Sequence, residues 1–195
     1  MDYRLYHAVN SFVAGHPWLG HVANGFETAA VPVLAVATFA LWFAARPGGA
    51  RRWKLACGSA LASGALALIV NQLVAKVWDR ARPFATHPSA HVWGARSHDP
   101  SFPSDHASAA FGIAFAVLFF SRVAGALFIA AATRIAVGRV VVGAHYPADV
   151  AAGLLVGLAS AVVVVKLARP LIAWLVRLVE RLTDPIVAPV WRALR

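Results

Sequence analysis

Charged side chains are scarce in this sequence: they make up 13% of its 195 residues, whereas hydrophobic residues make up 60%. Soluble globular domains carry roughly 25% charged residues, so the composition excludes an ordinary water-soluble protein. Acidic residues are the scarcer kind, at 8 against 18 Lys and Arg. The basic residues separate apolar runs instead of forming one stripe, so we expect a membrane protein with cationic ends and no nucleic-acid partner.

Cysteine occurs once, as Cys57 inside an apolar run, which excludes an internal disulfide framework. The first 25 residues lack the apolar core and the small-residue cleavage site of a signal peptide. We therefore expect the first hydrophobic helix to direct the chain to the membrane. Internal repeats and low-complexity linkers are also lacking, so the sequence predicts a single integral-membrane domain over residues 1–195.

Five stretches approach the roughly 20 apolar residues that a membrane-spanning helix needs. They cover residues 28–45, 55–75, 107–121, 123–142 and 150–165. The predicted fold class is all-α: a polytopic membrane helical bundle of five to six transmembrane helices with amphipathic terminal helices. The sixth, partial span would come from the first 25 residues, in which residues 3–13 are predicted to form a short amphipathic helix.

The tail over residues 170–195 is predicted to be an amphipathic helix that lies on the cytoplasmic membrane surface. Its large apolar residues share one helix face, whereas its charged residues lie elsewhere. The apolar face consists of Leu171, Trp174, Leu175, Leu178 and Leu182, and the charged residues are Arg177, Glu180 and Arg181.

Basic residues also predict the orientation of the bundle. They lie in three segments: Arg46, Arg51, Arg52 and Lys54 between the first two spans, Arg122 between the third and fourth, and Lys166 to Arg195 after the fifth. A five-span topology places all three segments on one side, which the positive-inside rule assigns to the cytoplasm. The opposite side then holds residues 76–103 and 140–149, where the unusual polar residues are concentrated.

Three polar clusters fall on that opposite side although they are far apart in the sequence. They are Lys76, Arg80 and Arg82 with Pro83; Pro103, Ser104, Asp105 and His106; and Arg139, His145 and Asp149. Arginine presents a planar fork of donors that matches phosphate oxygens. The helix that begins near Ser104 adds free backbone N–H groups and a positive dipole end, which favour an anion. The clusters together therefore predict a phosphate site.

His145 and Asp149 are four residues apart, so they share a face if the chain is helical from Tyr146 onward. The carboxylate can then hold the imidazole in the tautomer that leaves the other ring nitrogen free to attack. His106 is a second imidazole on a different element, suited to protonating a leaving oxygen.

The three clusters together resemble the motifs of the type 2 phosphatidic acid phosphatase superfamily. The matching residues are Lys76…Arg82-Pro83, Pro103-Ser104-Asp105-His106 and Arg139-x5-His145-x3-Asp149, within residues 71–153. The resemblance implies an all-helical membrane bundle in which His145 forms a phosphohistidine, Asp149 orients it and His106 is the general acid. It also implies that Arg82, Arg139, Ser104 and Lys76 bind phosphate, and that neither a metal nor another cofactor is needed.

Three residues depart from the superfamily pattern. Lys76 stands six residues before Arg82 instead of seven, so Arg80 is a further candidate for binding phosphate. Gly138 stands where a Ser commonly precedes the Arg, and Asp105 replaces the usual Gly. The Pro-Ser-Asp-His form and the Arg-Pro-Phe ending resemble the bacitracin-resistance branch, which dephosphorylates undecaprenyl diphosphate.

The function we predict is hydrolysis of undecaprenyl (polyprenyl) diphosphate, which recycles the cell-wall lipid carrier on the outer face of the bacterial cytoplasmic membrane. The four candidate cations exceed what one phosphate requires, and we expect Asp105 to pair with Arg80 and shape the site for a diphosphate. Two alternatives remain: a phosphatase for phosphatidate, phosphatidylglycerophosphate or another polyprenyl phosphate, and a non-catalytic lipid-phosphate binder or transporter. The partners expected are lipid phosphates and membrane lipids.

The orientation can be tested with single cysteines at Gly49 and Ser89 in a Cys57→Ser background. Because the positive-inside rule places residues 46–54 in the cytoplasm, a membrane-impermeant thiol reagent applied to intact cells should label position 89 and leave position 49 unlabelled. Labelling of position 49 from outside would contradict the orientation and place the polar clusters in the cytoplasm.

Overall fold

In this computed structural model, residues 1–45 and 51–193 are described, and they form helices joined by turns and one long loop. The helices are α1 (Asp2–Ala14), α2 (Pro17–Ala44), α3 (Arg52–Val77), α4 (Pro83–Thr86), α5 (Asp105–Phe120), α6 (Arg122–Val141), α7 (Pro147–Val162) and α8 (Arg169–Ala193). A π-helical turn, Val163–Leu167, extends α7. Arg46, Gly49 and Arg195, which enter the predictions on orientation, lie outside the described residues.

The predicted all-α membrane bundle is confirmed. Among the described residues, four helical segments are long and apolar enough to cross a membrane: α2, α3, α6 and Pro147–Leu167. The third predicted span, residues 107–121, corresponds to α5, which has 16 residues and is therefore about 24 Å long at the rise of an α-helix. Helix α5 packs against α3, α6 and α7. Its buried side chains are mostly small, which lets the neighbouring helices approach closely.

The N-terminal region contains one short helix followed by the first spanning helix. The short amphipathic helix predicted for residues 3–13 is present as α1. The possible sixth span is not: α2 begins at Pro17, so residues 17–25 are the first turns of the first span. A proline is favoured at the first position of a helix, because the backbone N–H that it lacks would have no partner within the helix. This explains why α2 starts here.

Helix α8 has two apolar surfaces. Ile172 and Val176 are buried and pack with Trp42 and Cys57 of the bundle. The predicted apolar face is exposed and free to meet lipid: Leu171, Trp174, Leu175, Leu178 and Leu182.

Ion pairs fix α8 at the cationic end of the bundle. The buried ammonium of Lys54 at the start of α3 contacts the carboxylates of Glu180 and Asp184. Arg51 donates to Glu180 at 2.8 Å. Arg52 donates to the carbonyl of Phe120 at the end of α5. The described basic segments therefore share one end of the bundle, as the five-span topology predicts.

Candidate active site

The polar clusters meet at the opposite end of the bundle, where α3 and α6 end and α5 and α7 begin. The turn between α6 and α7 depends on Gly143, whose φ is +80°. A Cβ atom there would lie 2.2 Å from the carbonyl oxygen of His91, so both the backbone angle and the space require glycine. His145 follows this turn, and its side chain is buried, with 2% of the residue exposed.

A backbone carbonyl orients His145. Its Nδ1 lies 2.8 Å from the carbonyl oxygen of Ser101. Because a carbonyl can only accept, Nδ1 must carry the proton and Nε2 keeps its lone pair. Nε2 in turn lies 3.2 Å from Nη1 of Arg82, a donor. The imidazole is thus held with an unprotonated nitrogen facing a guanidinium.

The protonation state of His145 suits a nucleophile. Burial lowers the pKa of the imidazole below its ordinary value, and the charges of Arg82 and Arg139 act in the same direction. Asp149 opposes them by stabilising the imidazolium. The neutral ring therefore persists to lower pH than in a free histidine.

Asp149 is fully buried but does not hydrogen-bond directly to His145. Its Oδ2 is 3.7 Å from Nδ1 of His145, beyond hydrogen-bond range. That oxygen accepts from the hydroxyl of Ser101 at 2.6 Å and from the backbone N–H of Tyr146 at 2.9 Å. Its Oδ1 accepts from Arg80 at 2.6 Å. Asp149 therefore fixes the two segments that flank the imidazole.

Arg80 is bound by carboxylates. It donates to Asp149 and, through Nη2, to Asp2 of α1 at 2.6 Å, and its guanidinium lies 4.0 Å from the centre of the Tyr146 ring. The expected pair between Arg80 and Asp105 is wrong, because Asp105 instead accepts from the Asn71 amide at 2.8 Å. The carboxylates of Asp2 and Asp149 neutralise Arg80, so Arg80 is not the free cation that the sequence predicted.

Arg82 and Arg139 are the arginines that face the site. Arg82 is held by the carbonyl oxygens of Asp99 and Ala144, at 2.8 and 3.3 Å from Nε and Nη1. Arg139 lines a cavity of about 310 Å³ together with His106 and Ala144, the residue before His145. The predicted acid, two predicted cations and the predicted nucleophile thus come together from three segments of the chain.

Ser104 and Lys76 have different positions. The buried Ser104 is the N-cap of α5, where its hydroxyl accepts from the N–H of Ala107, and its own N–H donates to the carbonyl of Asp149. Lys76 is exposed in the last turn of α3, and no hydrogen bond or ion pair between described residues joins it to the site. No group of three or more His, Cys, Asp or Glu among the described residues could hold a metal ion.

Helix α1 contributes contacts that the motifs did not predict. Asp2 accepts from Arg80 and from the N–H of Ala148 at 3.0 Å. The Tyr6 hydroxyl donates to the carbonyl of Gly143 at 3.4 Å, and Asn10 exchanges two hydrogen bonds with the backbone of His91. These partners are 78 to 146 residues apart in sequence, so no local pattern could reveal them.

The sequence and the fold match one family of known proteins. The family model of the PAP2 superfamily matches residues 55–173. The undecaprenyl-diphosphatase BcrC of Bacillus subtilis is 27% identical over 189 residues, which cover 95% of each chain. The bacitracin transport permease protein BcrC of Bacillus licheniformis is 36% identical over 99 residues, which cover 51% of this chain and about half (49%) of that protein.

A solved structure supports the fold independently. The transmembrane PAP2-type phosphatidylglycerolphosphate phosphatase of Bacillus subtilis superposes with a TM-score of 0.63 and covers 86% of each chain, at 18% identity. The predicted resemblance to this superfamily and to its bacitracin-resistance branch is confirmed.

The hydrogen bonds of Asp149 predict that its loss acts on stability as well as on turnover. Asp149→Asn should lower the free energy of unfolding by about 3 kcal/mol, because Arg80 loses a buried partner. His145→Ala leaves that network intact and should reduce turnover with a smaller change in stability. Melting in detergent and phosphate release measure the two effects.

The control for this comparison is Asp99→Asn. The Asp99 carboxylate is exposed and bonds to Ser97, while only its backbone carbonyl contacts Arg82. Melting should not change, and turnover should fall far less than in Asp149→Asn, since the Asp99 carboxylate makes no hydrogen bond to Arg82. An Asp149→Asn variant that melts like the unmodified protein but is as inactive as His145→Ala would show that Asp149 acts directly on the imidazole.

Proposed function

The chain belongs to the PAP2 superfamily and is a membrane lipid phosphatase, and we propose that it hydrolyses undecaprenyl (polyprenyl) diphosphate to the monophosphate through a phosphohistidine on His145. The observation that carries this mechanism is the tautomer of His145. The Ser101 carbonyl accepts a hydrogen bond from Nδ1–H, so the proton stays on Nδ1 and the Nε2 lone pair faces Nη1 of Arg82, a group that can bind a phosphate oxygen.

In the first step, Nε2 of His145 attacks the terminal phosphorus. The bond from that phosphorus to the bridging oxygen breaks, and the lipid monophosphate leaves with the electron pair. Protonated His106 gives its proton to the bridging oxygen as the bond breaks.

In the second step, neutral His106 accepts a proton from water while the water oxygen attacks the phosphorus. The P–N bond breaks, its electrons return to Nε2 of His145, and inorganic phosphate is released. Arg82, Arg139 and the backbone N–H groups at the start of α5 supply the positive charge that balances the equatorial oxygens in both steps. Charge stabilisation of this kind needs no metal ion.

The choice of a diphosphate rests on the relatives. The undecaprenyl-diphosphatase BcrC aligns over almost the whole chain. The number of cations near the site does not support a diphosphate, because one of the four predicted cations, Arg80, is neutralised by Asp2 and Asp149. The predicted cations that remain at the site are Arg82 and Arg139. Lys76 could contact a longer head group only if its side chain turned toward the site.

The same observation favours a second candidate, a phosphatase for a lipid monoester such as phosphatidate. Two arginines and one helix N-terminus suffice for a monoester dianion. A non-catalytic transporter, the class named for one relative, would need the arginines but not a buried, tautomer-fixed histidine beside them. We therefore place it behind both phosphatase candidates.

The proposed location is the bacterial cytoplasmic membrane, with the site on its outer face. Support comes from Arg51, Arg52 and Lys54, which lie with α8 at the end of the bundle opposite to His145. The positive-inside rule assigns that end to the cytoplasm.

A substrate panel tests the proposal. Detergent-purified protein should release phosphate from farnesyl or undecaprenyl diphosphate with a higher kcat/KM than from phosphatidate or polyprenyl phosphate. His145→Ala should lower turnover by at least about a thousandfold, since loss of a nucleophile removes the covalent route. His98→Ala, an exposed histidine of the long loop, is the matched control and should be fully active.

Equal or better hydrolysis of phosphatidate would replace the diphosphate with a monoester and leave the phosphatase assignment intact. Substantial turnover by His145→Ala would assign the nucleophile to another residue.

A further inference from the structure

Glu27 of α2 is a buried carboxylate that belongs to none of the sequence motifs. Its side chain is 3% exposed, and its Oε2 lies 3.6 Å from Nη1 of Arg139. Neither carboxylate oxygen of Glu27 has a hydrogen-bond partner among the described residues, and the same is true of Nε of Arg139. A buried charge with unfilled hydrogen-bonding capacity is costly, so its presence calls for a functional explanation.

Gly138, the residue before Arg139, makes room for this carboxylate. A Cβ atom at position 138 would lie 2.2 Å from Oε1 and 2.8 Å from the carboxyl carbon of Glu27. Any larger residue would therefore displace Glu27. This explains the departure from the superfamily pattern at this position: the Glu27 carboxylate occupies the space that the Ser side chain would need.

The position of Glu27 connects it to the chemistry. Glu27, His106 and Arg139 line the same cavity of about 310 Å³. Glu27 also lines an apolar groove of about 750 Å³ between α1, α2 and α6, together with Arg134 and Gly138. It therefore lies where the cavity that His106 and Arg139 line meets an apolar surface, and its carboxyl group faces Arg139.

We propose that Glu27 is a positioning residue that holds the guanidinium of Arg139 toward the phosphate, in the space that Gly138 leaves open. The inference rests on the proposed function, in which Arg139 binds the phosphoryl group. An arginine side chain has several rotatable bonds, and a carboxylate fixed on a neighbouring helix removes much of that freedom. Glu27 engages one edge of the guanidinium, while the N–H groups that remain can bind phosphate.

The first test is a double-mutant cycle between Glu27→Ala and Arg139→Ala. Because a misplaced charge stabilises the transition state poorly, Glu27→Ala should lower kcat/KM roughly ten- to hundredfold and weaken inhibition by vanadate. Glu27→Gln should lose less, since it keeps the size of the side chain and an oxygen that faces Arg139. In the Arg139→Ala background, Glu27→Ala should change kcat/KM by less than about twofold, because nothing is left to position.

The second test is Gly138→Ala, which remains informative even if Arg139→Ala has too little activity to measure. Alanine favours a helix more than glycine does, so a purely structural view predicts unchanged turnover and equal or greater stability. The proposal predicts a loss of kcat/KM in the unmodified protein, because the new methyl group displaces Glu27. In the Glu27→Ala background, Gly138→Ala should cause no further loss.

Two control variants match these changes. Gly25→Ala lies two residues before Glu27 on α2, and its Cβ would meet no heavy atom within 4 Å; it should leave turnover unchanged. Glu180→Ala removes another buried carboxylate that pairs with an arginine, at the opposite end of the bundle. It should lower stability without changing the inhibition constant of vanadate.

Additive losses in the Glu27 and Arg139 cycle, or a Glu27→Ala variant with normal turnover and vanadate inhibition, would overturn the proposal. A wild-type protein that hydrolyses no lipid phosphate would instead refute the proposed function. The two failures are thus distinguished by the unmodified protein in the same assay.

Discussion

The hydrogen bond from Nδ1 of His145 to the carbonyl of Ser101 is the interaction on which the rest of the site depends. It selects the tautomer, and the tautomer decides which ring nitrogen can attack. Because the acceptor is backbone, its position is set by the fold and not by another side chain. Asp149 stabilises both residues of this hydrogen bond. Its carboxylate accepts from the hydroxyl of Ser101 and from the backbone N–H of Tyr146, the residue after His145. Preorganisation of this kind lets a buried group react without rearrangement.

Most of the fold follows from the sequence because each span is a local property. Apolar runs near membrane length predict helices wherever they occur, since a lipid-exposed backbone must satisfy its own hydrogen bonds. The start of α2 is harder to predict, because His21, Asn24 and Glu27 interrupt the apolar pattern although Pro17 allows a helix to begin. The ion pairs that hold α8 join residues about 130 positions apart, and no local pattern contains them.

The site was predictable to a similar extent. The motifs predict that His106, Arg139 and His145 lie at one end of the bundle, and the structure places them there. Asp149 lies 3.7 Å from Nδ1 of His145, but the Ser101 carbonyl accepts the Nδ1 hydrogen bond, since α7 begins at Pro147 and leaves His145 outside the helix. The sequence predicts that Arg80 is free to bind phosphate, because its partner Asp2 belongs to α1 and lies outside the motifs. Glu27 lies outside them as well, in the first span, so the sequence does not reveal its contact with Arg139. Charge balance within a site depends on tertiary neighbours, which a motif does not contain.

In the proposed mechanism, His145 becomes phosphorylated on Nε2. Purified protein mixed with diphosphate substrate labelled at the terminal phosphorus and quenched within milliseconds should retain label that is stable to base and labile to acid. Peptide mapping should place that label on His145, and the His145→Ala protein should retain none. Turnover by a fully active preparation without any such label, or label on a different residue, would contradict the account.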